Sequence, residues 1–148
     1  MVRDRVSVVP GCLESLEAQG LSALPTIAVI DGAPPELQAS WRTRFPWAEF
    51  VFPTGPANGA ESRNAVIEKV GTPLVALLDA DVVGEPGWLE RCCARLCETG
   101  AAIVVPLITY PQGIVHAAGN LEYETSDAGV TYLYKEHRYW GMPVVSGS

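Results

Sequence analysis

Histidine is nearly absent from this chain. His116 and His137 are too few and too far apart for a histidine-built metal centre. No Gly-x-Ser-x-Gly elbow accompanies them, so a hydrolytic triad has little support. Basic residues are scarce as well. Ten Lys and Arg against 17 Asp and Glu leave a formal net charge of -7. A broad nucleic-acid-binding face needs clustered Lys and Arg and is disfavoured, while a small basic pocket for a phosphate is not. No Gly-x-Gly-x-x-Gly follows the first apolar segment, which argues against a dinucleotide fold, and the lack of Gly-Lys-Ser/Thr excludes a P-loop. No apolar run approaches the roughly 20 residues needed to cross a bilayer. There is no basic-then-apolar leader, so a cytoplasmic location is expected, with a peripheral membrane position left open. Cysteine is sparse and lacks Cys-x-x-Cys pairing. Cys92, Cys93 and Cys97 share one helical segment, and buried free thiols are expected there rather than a zinc site.

What remains is apolar enough to fold. Hydrophobic residues make up 48% of the 148 residues and charged ones 18%, which suits one compact domain. Apolar segments alternate with helical ones. Strands are expected at Val6–Val9, Thr26–Ile30, Glu49–Phe52, Leu74–Leu78 and Ala102–Val105. Helices are expected at Cys12–Gln19, Glu36–Arg44, from Asn58 to about Val70, and around the cysteines after Trp88. Gly20 and Gly100 serve as helix stops, and Asn58 with Glu61 has capping-box spacing. That alternation predicts an α/β fold, a three-layer α/β/α arrangement around a mainly parallel sheet. Leu107–Tyr110, the turn Pro111-Gln112-Gly113 and Ile114–Ala117 read as a hairpin. Residues 119–148 read as polar, aromatic and loop-rich.

The segment Leu74-Val75-Ala76-Leu77-Leu78-Asp79-Ala80-Asp81 carries the most chemistry. An apolar strand buried on both faces would end on two carboxylates, and residues two apart in a strand point the same way. Two such carboxylates repel unless a cation sits between them. A hard divalent ion completed by substrate phosphates answers that need. The blander alternative is that acidic residues simply end a strand at solvent. In α/β sheets ligands gather at the C-terminal strand ends, where both Asp31 and Asp79 fall.

In order and spacing, these segments resemble the family 2 glycosyltransferases of GT-A fold, from Arg5 to Ser148. The likeness rests on Val6-Ser7-Val8-Val9-Pro10, Ile30-Asp31-Gly32, Gly59-Ala60-Glu61-Ser62-Arg63-Asn64, Leu77-Leu78-Asp79-Ala80-Asp81 and Pro86-Gly87-Trp88-Leu89. The resemblance implies a nucleotide-diphosphate-sugar donor and a saccharide, lipid or protein acceptor, with inverting transfer to a hydroxyl. It implies Mg2+ or Mn2+ held by Asp81 with help from Asp79, a base contact from Asp31, and a nucleotide pocket lined by Arg63 and Asn64. Two alternatives to these roles stand: Asp31-Gly32 is also ordinary turn chemistry, and Arg63 also suits a solvated helix face.

Two departures from the family pattern matter. Pro10-Gly11 runs straight into a helix where the family has a nucleotide-wrapping loop, often with Tyr-Asn. Val144-Val145-Ser146-Gly147-Ser148 resembles the start of the acceptor half, so the family's general base would lie beyond residue 148. Glu122, Glu124 and Asp127 do not match its motif, and His116 suits a hairpin better than a ligand role. A non-catalytic donor-binding module, completed by a homo-oligomer or another chain, is therefore one alternative. Asp79-Ala80-Asp81-Val82-Val83 also fits the first motif of haloacid-dehalogenase-like phosphatases, though only Lys135 follows it and no acidic pair.

Overall fold

A computed structural model describes residues 3–53, 63, 64, 66–118, 120–127 and 130–137. The chain divides into two compact units, Met1–Pro86 and Gly87–Ser148.

In the first unit a 3-10 turn, Arg3–Val8, runs directly into helix α1, Val9–Ala18. The expected strand at Val6–Val9 is therefore helical. Pro10 explains why. In a first helical turn its missing N–H has no partner to lose, and its fixed φ is already helical. Val9, Cys12 and Leu13 form the buried stripe of α1 at helical spacing. Gly20 then takes a left-handed conformation, φ 73°, and ends the helix as its position predicts.

Strand β1, Thr26–Val29, and strand β2, Ala48–Val51, pair in parallel with Thr26 opposite Ala48. Helix α2, Pro35–Arg44, connects them, and its start is set by the Pro34-Pro35 pair. Trp41 and Phe45 lie four residues apart and turn inward together. They meet Val9 and Leu13 of α1, Ile30, Ala33 and Phe50 in one core. Trp41 stacks on Phe50 with ring centres 6.5 Å apart, and Phe45 is 1% exposed. Arg44 also pairs with Glu14, tying α2 to α1.

Residues 74–78 form no strand. Leu74, Val75 and Leu77 are 49%, 52% and 62% exposed, so the expected doubly buried strand is corrected to an exposed irregular segment. An apolar run states a preference for burial but names no partner, and β1–β2 takes no third strand among the described residues. The helix expected near Asn58 is described only in part. Residues 63, 64, 66 and 67 are helical, and the Asn58–Glu61 capping box lies outside the described residues.

The second unit opens with helix α3, Trp88–Thr99, closed by left-handed Gly100 as expected. Cys92 and Cys93 are only half-buried and Cys97 is exposed, which corrects the expectation of buried thiols; all are free. No residue of α3 is buried, so its cysteines have no core to enter. Residues 102–105 form no strand, and Ile103 and Val105 are exposed. The expected hairpin is present: β3, Ile108–Thr109, pairs antiparallel with β4, Val115–Ala117. Within the expected loop-rich end a second hairpin is found, and residues 138–148 of that segment lie outside the described residues. Strand β5, Asn120–Asp127, pairs antiparallel with β6, Val130–His137, placing Tyr123 opposite Tyr134 and Glu122 opposite Lys135. One of the three sheets is thus parallel and two are antiparallel among the described residues, where a mainly parallel sheet was expected.

Two substitutions test this architecture. Phe45→Ala removes the most buried large side chain and should cost about 3–5 kcal/mol in urea unfolding. Leu77→Ala should stay within about 0.5 kcal/mol, because its side chain is mostly in water. A loss of about 2–5 kcal/mol at Leu77 would restore the buried strand instead.

Candidate functional site

Asp79, Ala80 and Asp81 belong to a turn, not to an extended strand end. The Val82 N–H donates to the Asp79 carbonyl at 3.1 Å across that turn. Strand alternation therefore does not set the directions of the two carboxylates, and that expectation is corrected.

Asp79 meets Arg63. Its Oδ1 accepts a hydrogen bond from Arg63 Nη2 at 2.7 Å, with the two side chains 63% and 58% exposed. Arg63 stands on the short helical segment that also carries Asn64, whose carbonyl accepts from the Glu68 N–H at 3.3 Å. So exposed a pair stabilises the fold by roughly 0–1 kcal/mol, and competing ligands can separate it. Asp81, also exposed, makes its charge felt on Cys12 of α1. Burial, and secondarily that nearby negative charge, push the Cys12 thiol above its ordinary pKa. The thiol faces the acidic turn, with Sγ 4.0 Å from the Asp79 carbonyl oxygen.

Asp31 stands in the turn after β1, exposed, with Gly32 left-handed behind it at φ 70°. No hydrogen bond or ion pair joins it to the Arg63–Asp79 pair among the described residues. The structure thus brings together Arg63 and Asp79 directly, and Asp81 with Cys12. Asn64 shares only the helical segment of Arg63, and Asp31 is set at a separate turn.

No group of three or more His, Cys, Asp or Glu side chains is placed to hold a metal among the described residues. Two exposed carboxylates in one tight turn still suit a hard cation that takes its remaining oxygens from a diphosphate and water, as Mg2+ commonly does. They do not make a self-sufficient cage.

Sequence reasoning missed the residues that hold the turn. Ser15 of α1 accepts from the Gly84 N–H, Gln19 at the helix C-cap donates to the Gly84 carbonyl, and Cys12 faces the Asp79 carbonyl. The only signal was two polar residues at helical spacing beside a buried stripe.

The Cys12 environment has a pH signature. The folded chain holds the thiol proton more tightly than the unfolded chain, so this contribution is full below the ordinary thiol pKa of about 8.5 and is lost as pH rises through the folded value. Between pH 8 and 10.5 the melting temperature of the wild type should fall more steeply than that of Cys12→Val, with Asp81→Asn intermediate. Parallel curves for all three would show that Cys12 does not titrate in this environment.

A family model, glycosyl transferase family 2, matches residues 2–147. No curated protein and no solved structure matches the chain. The family match supports glycosyl transfer as the class of chemistry, with a nucleotide-sugar donor and an acceptor as its partners. No helix of the described residues is long and apolar enough to cross a membrane. Matched along nearly its whole length, the chain belongs to glycosyl transferase family 2.

Proposed function

We propose that the Asp79–Asp81 turn and Arg63 bind the diphosphate of a nucleotide-diphosphate-sugar donor, for inverting transfer of the sugar to an acceptor hydroxyl. The observation that carries this reading is the 2.7 Å contact between Arg63 and Asp79, residues 16 apart in sequence. On this reading Arg63 serves anionic oxygens and its neighbour Asp79 serves a metal.

Each residue then has a task. The Arg63 guanidinium, always charged and forked, donates to phosphate oxygens once they displace Asp79. Asp79 and Asp81 supply oxygen ligands to Mg2+ or Mn2+, and Asn64 offers an amide to the nucleotide. Asp31 accepts a hydrogen bond from the base. When bound, the divalent ion supplies positive charge against the negative charge that develops on the departing diphosphate. The net charge of -7 makes such a counter-charge more necessary, because the chain as a whole repels a diphosphate. Deprotonation of the acceptor, normally worth on the order of a hundredfold or more in rate, is assigned to no residue. The same reading treats residues 1–148 as one donor-binding domain of the three-layer GT-A type, with β1–α2–β2 as its parallel unit, and keeps a cytoplasmic location.

Thermal shift tests the site. UDP or GDP should raise the melting temperature only with Mn2+ or Mg2+ present, by an amount equivalent to about 2.7 kcal/mol at a hundred times Kd. Asp81→Ala should abolish the shift and Arg63→Ala should weaken it at least tenfold in nucleotide concentration. An unchanged shift in Asp81→Ala would refute the site. Binding without sugar transfer or donor hydrolysis would favour a non-catalytic module.

A further inference from the structure

Three contacts join α1 and its C-cap Gln19 to the acidic turn, and two more within the helix orient the side chains that make them. Gln19 Nε2 donates to the Gly84 carbonyl at 2.7 Å and to the Ser15 carbonyl at 2.9 Å. Ser15 Oγ accepts from the Gly84 N–H at 3.3 Å and donates to the Cys12 carbonyl at 2.7 Å. Cys12 Sγ lies against the Asp79 carbonyl at 4.0 Å. Both backbone groups of Gly84 are thus taken by side chains one turn apart on one helix. The other end of the turn rests on the same helix face. That helix is fixed in turn by Val9 and Leu13 in the aromatic core.

We propose that the Cys12–Ser15–Gln19 face of α1 is a positioning clamp that holds residues 79–84 in the shape that binds the donor's divalent cation. The proposal rests on the donor-site reading above. Clamped at both ends, the turn has little freedom left to lose when Asp79 and Asp81 take up an ion. Released, it must be ordered at the moment of binding, and the affinity falls. None of the three clamp side chains touches the ion or the donor; they act through the backbone of Asp79 and Gly84. The clamp also explains two polar residues on a helix whose other side is apolar. Ser15 uses its hydroxyl as both donor and acceptor, which fixes its rotor, and Gln19 spends its amide N–H groups on two carbonyls.

The test uses the full chain with Mn2+ and UDP. Bound Mn2+ is read by electron paramagnetic resonance, and backbone protection of residues 79–86 by hydrogen exchange. Gln19→Glu keeps the shape but replaces donors with a carboxylate facing two carbonyls. It and Ser15→Ala should each weaken Mn2+ binding about five- to tenfold and speed exchange across 79–86. Ser15→Thr, which retains the hydroxyl, should restore both. Leu13→Val, a core change on the apolar side of the same helix, should lower the melting temperature and leave Mn2+ affinity unchanged. Wild-type affinity in Gln19→Glu and Ser15→Ala, with binding abolished in Asp81→Ala, would overturn the clamp and leave the donor site standing. Unchanged exchange at 79–86 in both variants would also overturn it. Wild-type Mn2+ binding in Asp81→Ala would remove the donor site, and the role of the clamp with it.

Discussion

Helix α1 is held by one face and holds with another. Val9 and Leu13 bury it against Trp41, Phe45 and Phe50, while Ser15 and Gln19 reach the backbone at Gly84. On the clamp proposal, the geometry of the acidic turn depends on the aromatic core that fixes α1. The dependence has a direction. Burial of large aromatic side chains is worth several kcal/mol, whereas each hydrogen bond to the turn is worth about 1 kcal/mol. The core sets the position of α1, and α1 sets the turn. The exposed Arg63–Asp79 pair is too weak to set either.

Legibility in the sequence follows the range of the interaction. Helix α2 declares itself through Pro34-Pro35, helix α3 through its apolar stripe and Gly100, and the first hairpin through Pro111-Gln112-Gly113. These are local signals, complete within a few residues. Strands β1 and β2 were legible as apolar runs and found each other across α2, the short-range form of parallel pairing. The run from Leu74 to Leu78 had a stronger apolar signal than either and forms no ladder, because pairing needs a partner that composition does not name. Val6–Val9 failed for a different reason. A proline at a helix start overrode a β-branched segment whose strand preference depends on packing neighbours it did not have. Strands β5 and β6 were hidden in the opposite way. Tyrosines interleaved with Glu, Thr and Lys read as an irregular polar tail, although the alternation of Leu121 and Tyr123 with glutamates has the period of a strand.

The site divides along the same line. Asp79 and Asp81 could be chosen from sequence because paired carboxylates after an apolar run are a local oddity, whereas Arg63 was chosen through the family resemblance alone. Their arrangement could not. Whether 79–81 is a strand end or a turn depends on contacts with residues 65 to 69 positions away, which no spacing rule reaches. Cys12, Ser15 and Gln19 were invisible as site residues for that reason, since each looks like an ordinary member of a short amphipathic helix.

The pairing of Arg63 with Asp79 has a consequence for any doubly charged guest. Each group satisfies the other, so neither a lone anion nor a lone cation gains the full value of its partner. A phosphate that takes Arg63 must leave Asp79 without its counter-charge, and a cation that takes Asp79 must leave Arg63 without its own. An ion pair of diphosphate and divalent metal avoids both penalties by exchanging with both groups together. The two binding events are then coupled, and linkage makes the coupling equal in both directions. Because the resident pair is exposed and worth roughly 1 kcal/mol or less, the exchange itself costs little. On the proposed reading, the pair is a charge-neutral resting state that metal and diphosphate replace together, with a preference over either alone of at most about 1 kcal/mol.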